Sequence, residues 1–147
     1  MSNAHTPKII LGIDPGTVVM GYGIIEVTGQ KIKLVSMGVV QLAKHEDTLM
    51  RLKIISEKVV GLIKQYNPEC TSIEAPFFGK NVQSMLKLGR AQGVCIAASL
   101  VNDVPVFEYS PKKIKQSITG NGNASKEQVA AMLQQICGFE IQPKFLD

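Results

Sequence analysis

Short apolar runs separated by turn residues fill the first third of the chain, and each run predicts a β-strand. The first, Lys8 to Asp14, is apolar in its middle and ends on a carboxylate, which is typical of a central strand covered on both faces. A second run covers Tyr22 to Val27, and a third extends from Lys31 to Leu42 after a turn at Gly29. Because the connections are short, these strands should pair as an antiparallel meander.

Beyond residue 45 the apolar spacing changes to three and four residues, which predicts helices. One helix from about Glu46 to Tyr66 and another from about Val82 to Val101 flank a short strand, Cys70 to Glu74, that ends on a second carboxylate. A fifth strand is predicted over Val104 to Tyr109. The apolar stripe of the first helix consists of Leu49, Leu52, Ile55, Val59, Leu62, Ile63 and Tyr66.

The remainder of the chain predicts two more helices. Ser110 and Pro111 have the pattern of an N-cap and a first helical residue, and Ser125 begins a capping box for the other helix. The complete order predicts an α/β fold: a mixed five-stranded sheet, with three antiparallel strands and then parallel strands, flanked by helices. Residues 1–6 are polar and patternless and should form a disordered or tag-derived leader, followed by a single domain over 7–147.

Composition restricts the class of protein. The 147 residues make one domain, and 45% hydrophobic with 19% charged residues is ordinary for a soluble globular protein. No apolar run approaches the roughly 18 residues that cross a bilayer, and no secretory signal is evident, so a cytoplasmic location is expected. Three widely spaced cysteines with two histidines argue against structural zinc and predict buried thiols.

Positive charge is concentrated in one part of the chain. The window from Lys80 to Lys126 holds seven basic and two acidic residues, a net of +5, whereas the rest of the chain has a net of −1. A clustered excess of this kind suits a polyanionic partner such as a nucleic acid. A basic face that contacts only solvent is the alternative explanation.

Two carboxylates are the main candidates for chemistry. Asp14 and Glu74 each end a predicted buried strand, and a right-handed crossover brings those strands side by side and parallel. Their side chains should emerge at one sheet edge, roughly 5–8 Å apart, because neighbouring strands are about 4.8 Å apart. Carboxylates that close repel each other, and Mg²⁺ relieves the repulsion while also binding phosphate oxygens. Either acid taken alone fits a turn cap or a lysine partner better.

Five motifs occur in order along almost the whole chain, from about Ile9 to Asp147. They are I-L-G-I-D-P-G-T with G-Y-G, S-I-E-A-P-F-F-G-K-N, L-K-L-G-R-A-Q-G, P-V-F-E-Y-S-P-K-K-I-K-Q and G-N-G-N-A-S-K-E-Q-V. Together they resemble the RuvC-type Holliday junction resolvases, which have a ribonuclease H-like fold. The resemblance implies a homodimeric endonuclease that nicks two opposed strands of a four-way DNA junction symmetrically, in homologous recombination and DNA repair.

The resemblance also implies the site residues and partners. Asp14, Glu74 and Asp147 match acids that are catalytic and bind Mg²⁺, with Mn²⁺ as a substitute, and two ions per site would activate water and stabilise the leaving oxygen. Phe77, three residues after Glu74, is the preferred match to an aromatic that stacks on bases near the junction centre, with Phe78 as the alternative. Branch-migration helicase proteins are possible partners of the family. The residues expected to contact DNA are Phe77, Phe78, Lys80, Asn81, Lys112, Lys115 and Lys126.

The chain departs from the family pattern in two places. Arg90 and Gln92 are exchanged relative to the family's G-Q-A-R-G, so no role is carried over for the arginine. The family continues with D-A-x-D-A-L-A, whereas this sequence stops at Asp147, so the final helix is expected to be truncated and the activity of the shortened chain is in question. Gly89 and Gly93, four residues apart, fit either a dimer contact or packing against the sheet.

Three other functions remain open from the sequence. The absent helix motivates a non-catalytic junction-binding module. A related RNA-processing nuclease of the same fold is a second alternative. The aspartate-glycine opening also occurs in ATP-binding domains of the actin or sugar-kinase type, although these need a second domain, for which 147 residues leave no room.

Overall fold

The structure, a computed structural model of the chain, describes residues 6–75, 79 and 81–110. The two helices predicted beyond Ser110 and nearly all of the predicted leader lie outside these residues. The elements follow in the order β1 (Lys8–Asp14), β2 (Val19–Thr28), β3 (Lys31–Gln41), α1 (Thr48–Tyr66), β4 (Cys70–Glu74), α2 (Val82–Val101) and β5 (Val106–Tyr109).

The strands form one five-stranded sheet in the order β3-β2-β1-β4-β5. β2 is antiparallel to both β1 and β3, whereas β4 is parallel to β1 and β5 is parallel to β4. This topology confirms the predicted mixed sheet. It also places β1 at the centre, where its carboxyl end lies beside the carboxyl end of β4.

Two strands begin at different residues from those predicted. β2 starts at Val19 instead of Tyr22. Glycine is a poor strand former, so the sequence predicts a later start, but the pairing with β3 continues through the glycines to Val19, which lies opposite Gln41. β5 starts at Val106 instead of Val104. The Val104 N–H bonds to the Ser99 carbonyl at 2.9 Å, so this residue belongs to the turn that follows α2.

Side-chain caps define the helix boundaries. α1 begins at Thr48, slightly later than predicted, because Asp47 is its N-cap and accepts a hydrogen bond from the Leu49 N–H at 2.9 Å. At its other end Asn67 adopts a left-handed conformation, with φ of 49°, and its N–H bonds to the Ile63 carbonyl. Asn81 caps α2 by accepting from the Ser84 N–H at 3.1 Å.

Both helices pack on the same face of the sheet, which is called the helix-covered face below. Side chains alternate along a strand, so β1 directs Leu11 and Ile13 into this core and Gly12 and Asp14 to the other side. The other side is called the carboxylate face. Leu49 lies outside the core, 65% exposed, although the predicted stripe included it. The core contains Leu11, Ile13, Ile24, Ile55, Val59, Leu62, Ile73, Ala91 and Cys95.

Candidate active site

Asp14 and Glu74 end neighbouring parallel strands at the same level. Ile13 on β1 pairs with Ile73 on β4, and both are buried on the helix-covered face. Asp14 and Glu74 each lie one residue further along, so their side chains stand next to each other on the carboxylate face. The predicted placement of both acids at one sheet edge is therefore confirmed, whereas their catalytic role remains a prediction.

Two rows of residues cross the carboxylate face from β2 to β5. The rows follow from the pairing registers of the four strands. In each row the residue on β2 is a glycine and the residue on β5 is aromatic. Asp14 therefore has a residue without a side chain as its neighbour on β2, whereas Glu74 has an aromatic residue as its neighbour on β5. The edge row is Gly21, Asp14, Glu74 and Tyr109, and the row behind it is Gly23, Gly12, Ser72 and Phe107.

The glycine side leaves space next to Asp14. A methyl group added at Gly21 would lie 3.7 Å from the Asp14 Cβ. At Gly12 and Gly23 it would meet only a backbone oxygen within 4 Å, at 3.8 and 3.9 Å respectively, among the described residues. Because these glycines have no side chains, a DNA backbone or a hydrated ion has room to approach the Asp14 carboxylate.

The donor set of this edge fits a hard divalent cation. Two adjacent carboxylates supply oxygen ligands, and the glycine at position 21 leaves room for the waters that Mg²⁺ retains. Within the described part of the chain, no group of three or more His, Cys, Asp and Glu side chains could hold a metal ion. The predicted third acid, Asp147, lies outside the described residues.

Arg51 on α1 ties down the loop that follows Asp14. Its Nε donates to the His45 carbonyl at 2.6 Å, its Nη1 to the Thr17 carbonyl at 3.1 Å and its Nη2 to the Ala43 carbonyl at 3.4 Å. The planar guanidinium thus joins the loop after β1 to the segment before α1. No sequence pattern predicts this role, since an arginine on an amphipathic helix is typical of a solvated face.

A tight turn also constrains the same loop. A Cβ at Gly16 would fall 2.0 Å from the Val19 carbonyl oxygen, which no side chain can occupy. The Leu42 N–H bonds to the Val18 carbonyl at 2.8 Å and connects the turn to the end of β3. Asp14 is therefore followed by a segment held at several points.

The remaining predicted DNA contacts are only partly within the described residues. Asn81 is exposed and uses its side-chain oxygen to cap α2, and its proposed contact with phosphate stays a prediction. The other predicted contacts lie outside the described residues, and they are Phe77, Phe78, Lys80, Lys112, Lys115 and Lys126.

The two α2 glycines do not pack against the sheet. A Cβ at Gly89 or Gly93 would meet no atom within 4 Å among the described residues, so the sheet-packing alternative is wrong. The same helix exposes large apolar side chains, which favours contact with another surface. These are Val82 (64% exposed), Leu86 (64%), Leu100 (54%) and Val101 (81%).

The mixed five-stranded sheet, with β1 at its centre and β4 parallel to it, defines the ribonuclease H-like fold class. The family model described as Crossover junction endodeoxyribonuclease RuvC matches residues 10–147. The chain belongs to this family, as its motifs predicted. Membership supports the junction resolvase prediction over the RNA-processing and ATP-binding alternatives.

Similar proteins agree with the family match. Crossover junction endodeoxyribonuclease RuvC of Cytophaga hutchinsonii is 58% identical over 151 residues, an alignment covering 100% of this chain and 76% of the relative. The protein of the same name from Christiangramia forsetii is 59% identical over 140 residues, covering 95% and 73% of the two chains. A solved structure of Thermus thermophilus RuvC in complex with Holliday junction substrate has a TM-score of 0.86 at 32% identity, covering 95% and 86%.

Neither described helix has the length and apolar character that crossing a membrane requires.

Proposed function

We propose that this protein is a structure-selective DNA endonuclease that resolves four-way junctions by symmetric, metal-dependent hydrolysis of two opposed phosphodiesters. The observation that supports the proposal most is the side-by-side position of Asp14 and Glu74 at the carboxyl edge of the sheet. The solved relative whose title names a Holliday junction substrate supports the choice of substrate. Resolution of such junctions belongs to homologous recombination and DNA repair.

Asp14 and Glu74 would hold Mg²⁺, with Mn²⁺ as a substitute and Asp147 as a further ligand. Two bound ions would supply charge neutralisation at the scissile phosphate and an activated water nucleophile. The protein's own contribution is positional. The Arg51 contacts hold the loop after Asp14, and the low surface around Gly21 lets the phosphate backbone approach the carboxylates.

The DNA contacts beyond the two acids are part of the same proposal. One of Phe77 and Phe78 would stack on a base near the junction centre, which contributes about 1–3 kcal/mol per stacked base. Basic residues would bind phosphates, with the largest share from the segment that contains Lys112, Lys115 and Lys126. Lys80 and Asn81 would meet the backbone next to Glu74.

The assembly is proposed to be a homodimer that contacts itself through α2. A symmetric substrate with two opposed scissile strands suits a two-fold enzyme. The exposed apolar residues of α2, together with the uncovered positions Gly89 and Gly93, offer a surface where two backbones can approach closely. Branch-migration helicase proteins are proposed as partners, and the cytoplasm as the location.

A gel-shift experiment tests the proposed substrate. The protein is titrated onto a four-way DNA junction and onto a duplex of equal length, in Ca²⁺ to prevent cleavage and with excess duplex competitor. The proposal predicts a junction complex that survives the competitor. Equal affinity for both DNAs would contradict structure selectivity, because a generic basic surface binds any duplex.

A cleavage experiment in Mg²⁺ separates the enzyme from a non-catalytic junction-binding module. The junction carries a different end label on each of its four strands. The proposal predicts paired nicks at symmetric positions on two opposed strands. Junction-selective binding without any nick would favour the binding module.

A further inference from the structure

Tyr109 ends the row that contains both carboxylates, and the proposed reaction gives it no role. Its Cα pairs with that of Glu74 in the ladder between β4 and β5, so both side chains lie on the carboxylate face. Tyr109 is 39% exposed, so the residue is partly accessible to a ligand. A DNA strand that crosses from Asp14 over Glu74 meets Tyr109 next.

The backbone position of Tyr109 is held from two sides. The Ala75 N–H donates to the Tyr109 carbonyl at 2.8 Å, which extends the ladder past Glu74. On the helix-covered face, Nε2 of the buried Gln92 donates to Oε2 of Glu108 at 3.2 Å and attaches β5 to α2. These contacts fix the position of the Tyr109 backbone relative to that of Glu74, as a substrate-positioning residue requires.

Distance and chemistry together suit a phosphate. Neighbouring strands lie about 4.8 Å apart, so Tyr109 stands about 5 Å from Glu74 and about 10 Å from Asp14. A tyrosine side chain can bridge this spacing, so with one phosphate over the two acids the neighbouring phosphate of the same strand comes within reach of Tyr109. A tyrosine hydroxyl is a neutral donor that binds a phosphate oxygen, whereas a lysine here would also form an ion pair with Glu74.

We propose that the Tyr109 hydroxyl donates a hydrogen bond to a non-bridging oxygen of the phosphate next to the scissile phosphate. This contact sets the register of the DNA strand over Asp14 and Glu74. The inference rests on the proposed function, since it names a further substrate contact of the same site.

Single-turnover nicking of a junction in Mg²⁺, with protein below saturation, tests the contact. Tyr109→Phe keeps the ring and removes only the hydroxyl, and we expect nicking about tenfold slower with an unchanged thermal unfolding midpoint. Tyr66→Phe makes the same chemical change near the end of α1, before β4 begins, and should nick like the wild type. A Tyr109→Phe variant that also nicks like the wild type would overturn the inference while leaving the proposed function intact.

A modified substrate identifies the partner of the hydroxyl. A methylphosphonate, which replaces one of the two non-bridging oxygens with a methyl group, is placed in turn at the phosphate on each side of the scissile one, as each of its two separated diastereomers. At one of these positions the difference between the wild type and Tyr109→Phe should disappear. A tenfold difference that persists at both positions would overturn the inference, because Tyr109 would then act through Glu74 or the fold. Failure of the wild type to nick the unmodified junction would instead contradict the proposed function, and the inference with it.

Discussion

Arg51 Nη1 donates a hydrogen bond to the Thr17 carbonyl at 3.1 Å and so links α1 to the loop that leaves the active-site edge three residues after Asp14. Two further carbonyls accept from the same guanidinium. A lysine cannot reproduce this fork, because its ammonium is a single point of charge. The contact is therefore expected to serve both folding and the placement of Asp14.

Replacing Arg51 with lysine should lower the free energy of unfolding by about 1–3 kcal/mol, since several carbonyls lose a charged donor. Nicking should fall further than junction binding, because the loop after Asp14 loses its fixed position. Chemical denaturation and single-turnover nicking measure the two effects. Lys53→Gln is a suitable control, since it breaks only an exposed ion pair with Glu57, 3.8 Å apart, and should change stability by less than about 0.5 kcal/mol. Equal losses for both variants would contradict the role of Arg51.

Adding one methyl group at Gly21 should impair catalysis without unfolding the protein. The new Cβ would lie 3.7 Å from the Asp14 Cβ, an ordinary contact that the sheet tolerates. It would nevertheless occupy the space beside the carboxylate, and we expect Gly21→Ala to nick at least about tenfold more slowly. Junction nicking and thermal unfolding are measured together.

Gly61→Ala is the matched control for that change. Gly61 lies in α1 with nothing within 4 Å of an added Cβ, so alanine should stabilise the helix by about 0.5–1 kcal/mol and leave nicking unchanged. Wild-type nicking by Gly21→Ala would show that the space beside Asp14 is not used.

The hydrogen bond between the Ser99 and Thr71 hydroxyls, 3.0 Å long and fully buried, joins α2 to β4. Ser99 also contacts the Cys95 carbonyl at 3.0 Å. Ser99→Ala should cost about 1–3 kcal/mol, because Thr71 is left without its partner, whereas Thr71→Val should cost less, since Ser99 keeps the carbonyl. Denaturant titration of both single variants and the double variant should give a double-variant loss smaller than the sum. Strict additivity would show that the pair is not coupled.

Burial raises the pKa of the Cys95 thiol to about 12, from an ordinary value of 9.0. Of the other two thiols predicted to be buried, Cys70 is only half-buried and Cys137 lies outside the described residues. In the unfolded chain the Cys95 thiol ionises at the lower pH, so its contribution to stability is complete below about pH 9 and declines as the pH rises toward 12. The wild type should therefore lose stability between pH 8 and 10.5 more steeply than Cys95→Ala, by up to about 1.4 kcal/mol per pH unit. Parallel curves for the two proteins would contradict this.

Much of the fold follows from local signals in the sequence. The bounds of β1, β4 and α2 agree with the predicted ones. Each element is an apolar segment next to residues that begin or end secondary structure, such as Asn67 and Pro68 before β4 and the N-cap Asn81 before α2. The start of β2 was missed because strand propensity is weak at glycines, whereas the ladder with β3 extends through them. Tertiary pairing supplied what the local pattern lacked.

The site could be predicted in part. Asp14 and Glu74 were identified because chain order and crossover handedness determine which strand ends are neighbours. The sequence does not predict the roles of Arg51 and Tyr109. No sequence pattern marks the three carbonyl partners of Arg51 or the pairing of Tyr109 with Glu74, because these contacts depend on the tertiary fold. The motif containing Tyr109 was visible, but not the direction of its side chain.

The most direct test of the account is junction nicking in Mg²⁺ by Asp14→Asn and Glu74→Gln, with binding measured in Ca²⁺. Both variants remove one negative charge with little change in shape. Nicking should fall by roughly 100-fold or more, while junction binding is retained or tightened because repulsion of phosphates decreases. Asp103→Asn, in the turn that follows α2, should nick like the wild type. Persistent nicking by either active-site variant would contradict the central claim that these two carboxylates carry out the hydrolysis.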